Sequence, residues 1–121
     1  MAKILIVEDN EFVARMYQNI LSLENYEVEI ANSAQEGIEK ARKMLPNLIL
    51  LDVVMPEMNG IQALQKLKED DNTKSIPTVM LTVIGEEDVI EQCLKLGASG
   101  YLVKTSLDPN KVIEEVKRYL G

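Results

Sequence analysis

The chain has no histidine and no tryptophan, a single cysteine, one phenylalanine and four prolines in 121 residues. Without histidine there is no imidazole base, no histidine metal ligand and no phosphohistidine within the chain, so any acid–base or phosphate chemistry rests on carboxylates and lysine. The lone cysteine, Cys93, excludes an intrachain disulfide and gives no sign of an oxidising compartment; on a helix it reads as core filling. Positive charge is also short. Asp and Glu number 20 against 13 Lys and Arg, and the formal net charge of -7 opposes broad attraction to nucleic acid. Most of these carboxylates read as solvated helix surface. After Met1-Ala2-Lys3 the sequence runs directly into Ile4-Leu5-Ile6-Val7, and no apolar run is long enough for a signal peptide or a membrane span. A cytoplasmic location without membrane insertion is the default expectation.

What is present is the composition of a globular domain, 46% hydrophobic and 27% charged. The length suits one domain over 1–121 with a real core, and is too short for a second, output domain. Short apolar runs bounded by polar turns fall at Ile4 to Val7, Tyr26 to Ala31, Leu48 to Leu51, Thr78 to Thr82 and Tyr101 to Val103, which predicts five strands. The first, third and fourth are almost wholly apolar, the pattern of central strands covered on both faces. Tyr26-Glu27-Val28-Glu29-Ile30 alternates like an edge.

Helical spacing fills the intervals: Phe12, Met16 and Ile20; Ala34, Ile38, Ala41 and Leu45; Ile61, Leu64 and Leu67; Val89, Ile90, Cys93, Leu94 and Leu96; and Val112, Ile113, Val116, Tyr119 and Leu120. Ser33-Ala34-Gln35-Glu36 reads as a capping box, Gly97 as a left-handed C-cap, and Asp108-Pro109 as an N-cap followed by a first-turn proline. Gly60 suits a turn into the third helix, and Met55 and Met58 read as packing groups. Five alternating strand and helix units with short connections predict an α/β fold with an open, doubly wound parallel sheet, whose functional crevice lies at the carboxyl ends of the strands.

That edge collects the chemistry. Glu8-Asp9 follows the first strand, Asp52 the third and Lys104 the fifth, while Thr82 closes the fourth. Singly, each admits a plain structural role: a solvated carboxylate, a β-forming threonine, a lysine snorkelling into water. Together, if the strands are parallel, they place three carboxylates, a hydroxyl and an ammonium in one pocket. Clustered carboxylates either raise their pKa values or recruit a cation, and Mg2+ suits an open carboxylate site better than Ca2+, whose loop spacing is absent.

The loop Asp52-Val53-Val54-Met55-Pro56-Glu57-Met58-Asn59-Gly60, with Glu8-Asp9, Thr82, Tyr101 and Lys104 in order and at approximate spacing, resembles the receiver-domain family of response regulators in two-component signalling, of which the chemotaxis receiver is one type. The resemblance covers the whole chain. It implies a flavodoxin-like (βα)5 sheet of strand order 2-1-3-4-5. It also implies that Asp52 accepts a phosphoryl group from a phosphohistidine on a sensor histidine kinase or histidine phosphotransfer protein. Asp9, Asp52 and the backbone carbonyl of Val54 would bind Mg2+, with Glu8 acting through a water in the metal's shell. Lys104 and Thr82 would hold the phosphoryl oxygens, and Thr82 would couple to a rotamer change of Tyr101. The face of the fourth helix, fifth strand and fifth helix would then signal to a downstream effector or an output domain, with a phosphorylation-dependent homodimer among the states it allows. Such a domain is a switch and not a turnover enzyme.

The sequence departs from the family pattern at four positions. Thr105 stands where proline usually follows the lysine, often with a cis bond, which for a non-proline residue costs about 3 kcal/mol. Val83 replaces a smaller residue beside the site and predicts slow phosphotransfer. Val54 and Ile84 are aliphatic where other members carry polar groups able to orient a hydrolytic water, which predicts a long-lived phosphoryl-aspartate. Three other classes compete. An aspartyl-phosphate phosphohydrolase of the haloacid-dehalogenase type needs a second Asp two positions on, where Val54 stands; and Val103-Lys104-Thr105 lacks the glycine that precedes a P-loop lysine. A phosphorylation-independent interaction module is opposed by the intact Glu8, Asp9, Asp52, Thr82 and Lys104 set.

Overall fold

A computed structural model describes residues 1–83, 86–104 and 108–120. The strands fall on the apolar runs: β1 (Lys3–Val7), β2 (Glu27–Ala31), β3 (Leu48–Asp52), β4 (Thr78–Thr82) and β5 (Gly100–Val103). Between and after them lie α1 (Glu11–Ser22), α2 (Ala34–Met44), α3 (Gly60–Glu69), α4 (Glu87–Lys95) and α5 (Pro109–Leu120). All pairings are parallel and the sheet order is β2-β1-β3-β4-β5, as the family resemblance implies. Every residue of β3 and β4 is buried, whereas β2 alternates along the edge.

Strand side chains point alternately to the two faces, so each central strand feeds two cores. Ile4, Ile6, Leu48, Leu50, Val79 and Leu81 pack with Ala14, Tyr17 and Leu21 of α1 and Val112 and Val116 of α5. Leu5, Val7, Ile49, Leu51 and Met80 pack with Ile38 of α2, Leu64 and Leu67 of α3 and Cys93 of α4. Cys93 is buried and unpaired, the core filler its position suggests.

Two helices differ from the sequence expectation in which face they bury. In α1 the buried residues are Ala14, Tyr17 and Leu21, while Phe12 is 82% exposed and Met16 and Ile20 are only partly covered. The helix carries two apolar stripes, and the one containing the large Tyr17 wins the core. In α4, among the described residues, only Cys93 is fully buried and Leu94 is exposed.

The caps follow local chemistry. Ser33 Oγ accepts from the Glu36 amide, half of the expected capping box; the full reciprocal box is at α3, where Asn59 and Gln62 each accept from the other's amide at 2.9 and 3.0 Å. Gly97 takes φ 108 beyond α4, and Asp108 Oδ1 accepts from the Asn110 amide at the start of α5. No helix among the described residues is long and apolar enough to cross a membrane.

Candidate functional site

The strand order reverses between β1 and β3, which leaves a crevice above their carboxyl ends. Glu8 leaves β1 on a backbone bond from its amide to Ala31 O of β2 at 3.0 Å, and its side chain is turned inward, fully buried. Asp9, next in sequence, is exposed. Asp52 is the last residue of β3 and only 2% exposed. Its backbone is held from behind by α3: the Gly60 amide donates to Val53 O at 2.8 Å, and a Cβ on Gly60 would collide with the Asp52 carbonyl oxygen. Glycine at 60 is therefore required by close approach of two backbones, a stronger reason than the turn itself.

Carboxylate oxygens of Glu8, Asp9 and Asp52 all lie within 4.8 Å of one another. The Lys104 ammonium reaches into this group from the end of β5, 2.7 Å from Glu8 Oε1 and 3.2 Å from Asp52 Oδ2. Its backbone amide donates to Thr82 O at 2.7 Å, which ties the lysine to the end of β4. The remaining Asp52 oxygen, Oδ1, accepts a long bond from the Val54 amide at 3.3 Å. One ammonium thus faces two buried carboxylates, and the balance stays negative.

The electrostatics record that imbalance. Burial is the main cause that pushes Glu8 from its ordinary 4.5 to about 8, with the neighbouring Asp52 adding to it and Lys104 opposing it. Despite its 2.7 Å approach to Lys104, the alignment is that of an ion pair and not a hydrogen bond, and among the described residues only Glu8 has buried side-chain oxygens without a hydrogen-bond partner. For Lys104, burial works against the charge, but the Glu8 and Asp52 carboxylates outweigh it and raise its pKa.

The unpartnered Glu8 oxygens and the three convergent carboxylates are what an oxygen-coordinated divalent cation needs: hard negative ligands with unused lone pairs, at a mouth open to water through Asp9. The residues fit Mg2+.

Thr82 closes β4, 1% exposed, with its hydroxyl donating to Glu86 Oε2 at 2.8 Å. Val54 and Val83, 65% and 40% exposed, follow closely on Asp52 and Thr82 at the ends of β3 and β4. Tyr101 on β5 is 44% exposed, the outward setting. Of the sequence-derived site residues, Glu8, Asp9, Asp52 and Lys104 come together, Val54 adjoins them through its amide, Thr82 stands at the adjacent strand end, and Tyr101 lies on the edge strand. The expectations for Ile84 and for the Lys104–Thr105 bond lie outside the described residues. Sequence reasoning missed Glu86; the signal for it was a carboxylate four positions after Thr82 and just ahead of a helix.

Comparison with known proteins agrees with this geometry. The family model of the response regulator receiver domain matches residues 4–117. The chain is 38% identical over 121 residues to the chemotaxis protein CheY of Treponema pallidum, covering 98% of this chain and 82% of that protein. It is 31% identical over 118 residues to the polar-differentiation response regulator DivK of Brucella anthropi, covering 98% and 95% of the two chains. The solved structure of the chemotaxis protein CheY4 of Vibrio cholerae superposes with a TM-score of 0.92 at 31% identity, covering 98% of each chain. The protein belongs to the response regulator receiver-domain family, the phosphoacceptor switches of two-component signalling.

Proposed function

We propose that Asp52 is the phosphoacceptor and that residues 1–121 act as one receiver unit. The observation that carries this reading is the Asp52 carboxylate itself: it is buried, fixed from behind by the α3 backbone, and grouped with the Glu8 and Asp9 carboxylates and the Lys104 ammonium. A carboxylate oxygen of Asp52 attacks phosphorus, the new O–P bond forms as the P–N bond to a donor imidazole breaks, and the imidazole nitrogen leaves with the bonding electron pair. With acetyl phosphate as donor, acetate leaves instead.

Asp9, Asp52 and the Val54 carbonyl would hold Mg2+ in this reading, with Glu8 acting through a water, and the charge supplied there would offset the carboxylate cluster and the incoming phosphoryl group. Lys104 then pairs with phosphoryl oxygens where it now pairs with Asp52 and Glu8, and Thr82 donates a hydrogen bond to the same group. No side chain is required as a general base, which suits a chain without histidine. Val54 supplies no proton donor at the position where a phosphohydrolase needs one, so the domain assists its own phosphorylation without turning over substrate.

The phosphodonor is a sensor histidine kinase or histidine phosphotransfer protein, and α1 offers it a surface: Phe12 and the half-covered Met16 and Ile20 form an apolar stripe on the helix that begins two residues beyond Asp9. Phosphorylation is relayed through Thr82 and Tyr101 to the face of α4, β5 and α5, where an effector, an output domain or a second copy docks.

Intact-mass measurement after incubation with acetyl phosphate, with and without Mg2+, tests the reading. A single Mg2+-dependent phosphoryl adduct, absent from Asp52→Asn, is expected. An unmodified wild-type chain under all conditions, or an equal adduct on Asp52→Asn, overturns it.

A further inference from the structure

Thr82 has one hydroxyl proton, and it is directed to a specific side chain. Its Oγ1 lies 2.8 Å from Glu86 Oε2, with a longer contact of 3.4 Å to Val83 O. Glu86 precedes the first turn of α4, where a carboxylate would ordinarily accept from the free helix amides, yet its side chain makes no capping bond. This sets α4 apart from α1, α2 and α3, each capped by a side chain: Asn10, Ser33 and Asn59 respectively. The uncapped helix is also thinly anchored, with Cys93 its one buried residue.

We infer that Glu86 is a positioning residue that latches Thr82 in the resting state, and that redirecting the Thr82 hydroxyl to a phosphoryl oxygen frees Glu86 to cap α4. This rests on the reading of Asp52 as phosphoacceptor.

A single O–H cannot serve Glu86 and a phosphoryl group at once, and a bond to an ionised carboxylate is among the stronger ones available to a hydroxyl. The resting arrangement is therefore stabilised against phosphorylation. A phosphoryl group carries more negative charge and more acceptor oxygens than Glu86, so it competes for the same proton. Glu86 is the N-cap residue of α4, so the amides of Asp88 and Val89 are the free helix donors that its released carboxylate would accept from, at the positive end of the helix dipole. Chemistry on Asp52 would thus change the N-terminus of the helix that borders the proposed output face.

Phosphorylation by acetyl phosphate with Mg2+, followed by intact mass in the wild type, Glu86→Ala, Thr82→Ala and the double variant, tests this. Amide spectra of Asp88 and Val89 are recorded before and after. Glu86→Ala is expected to accelerate adduct formation about three- to tenfold, the span of one hydrogen bond's net contribution. The acceleration should vanish when Thr82 is already Ala, and Glu86→Gln, which keeps an acceptor without the charge, should fall between. The Asp88 and Val89 amides should shift on phosphorylation of the wild type and not of Glu86→Ala. Equal acceleration with and without Thr82 would mean that the Glu86 charge acts through space, and overturns the latch. So does an unchanged rate in Glu86→Ala when the wild type is modified on Asp52. Absence of adduct from the wild type and every variant overturns the phosphoacceptor reading itself and the latch with it.

Discussion

The Lys104 ammonium passes the ends of β4 and β3 to lie 2.7 Å from Glu8 Oε1, so that residues from the two ends of the chain share one buried contact. Lys104 also holds Asp52 at 3.2 Å. It is the cation that lets two buried carboxylates coexist before any metal or phosphoryl group arrives, and it cannot neutralise both.

The uncompensated charge makes the fold sensitive to pH. Glu8 has a folded pKa of about 8, above its ordinary 4.5, so the folded chain holds a proton that the unfolded chain releases between these values. The stabilisation is fully present below about 4.5 and is lost as pH rises through about 8. The raised Lys104 pKa leaves that group charged throughout the window. Urea unfolding in EDTA should show the wild type losing stability between about pH 6 and about pH 8.5, while Glu8→Gln stays nearly flat and is the more stable at the upper end, by about 1–3 kcal/mol. Equal slopes for both chains would refute the assignment.

Magnesium should reverse this order. A cation that binds the folded state stabilises it by mass action, and it favours the ionised form of Glu8. Millimolar Mg2+ at about pH 8.5 is expected to raise the melting temperature of the wild type by several degrees and that of Glu8→Gln by less. An identical rise in the two would show that Glu8 takes no part in the cation site.

Gly60→Ala probes the backbone contact behind Asp52. The added methyl meets the Asp52 carbonyl, which is backbone and cannot swing aside. A loss of about 2–3 kcal/mol in urea unfolding is expected, with slower adduct formation because Asp52 moves with its strand. A fully stable Gly60→Ala chain would mean that α3 can slide.

Phe12 separates docking from chemistry. Its ring is 82% exposed, so Phe12→Ala should leave the melting temperature unchanged. Transfer from a phosphorylated histidine protein should slow about tenfold, as for an apolar hot spot, relative to the rate with acetyl phosphate in the same variant. If both donors are affected alike, the stripe on α1 is not where the protein donor sits.

The lifetime of the phosphoryl group tests the mouth of the site. Val54 is 65% exposed next to Asp52, and its side chain cannot orient water. Val54→Asn is expected to shorten the half-life of the phosphoryl-aspartate about tenfold, a modest share of what a placed polar group contributes to a proton transfer. A half-life unchanged by this substitution would show that hydrolysis is limited elsewhere.

Much of this protein could be read before folding it. The apolar runs at Ile4 to Val7, Leu48 to Leu51 and Thr78 to Thr82 marked central strands because a sheet covered on both faces needs apolar side chains in both directions. Glu8, Asp9, Asp52, Thr82 and Lys104 were legible as a group because parallel strands deliver their carboxyl ends to one edge, so position along each run was enough. The caps at Asp108 and Gly97 were local chemistry and followed from local sequence.

Other features depended on choices among competing contacts, and only the tertiary structure made them. Helical spacing in α1 admitted two apolar stripes, and packing against Ile4, Ile6 and Leu48 selected Ala14, Tyr17 and Leu21, leaving Phe12 outside. The sequence placed Glu8 beside Asp9 without saying which would be buried; the turn after β1 sends one inward to Lys104 and the other into solvent. The Thr82 hydroxyl had two acceptors within reach, Val83 O and Glu86, and made its shorter bond to Glu86, whose alternative was its own helix. Sequence determined which groups meet at the strand ends because strand direction is collective and repeated. Tertiary structure decided which of them are paired, buried or left free, because each such choice is a competition between neighbours that no local pattern encodes.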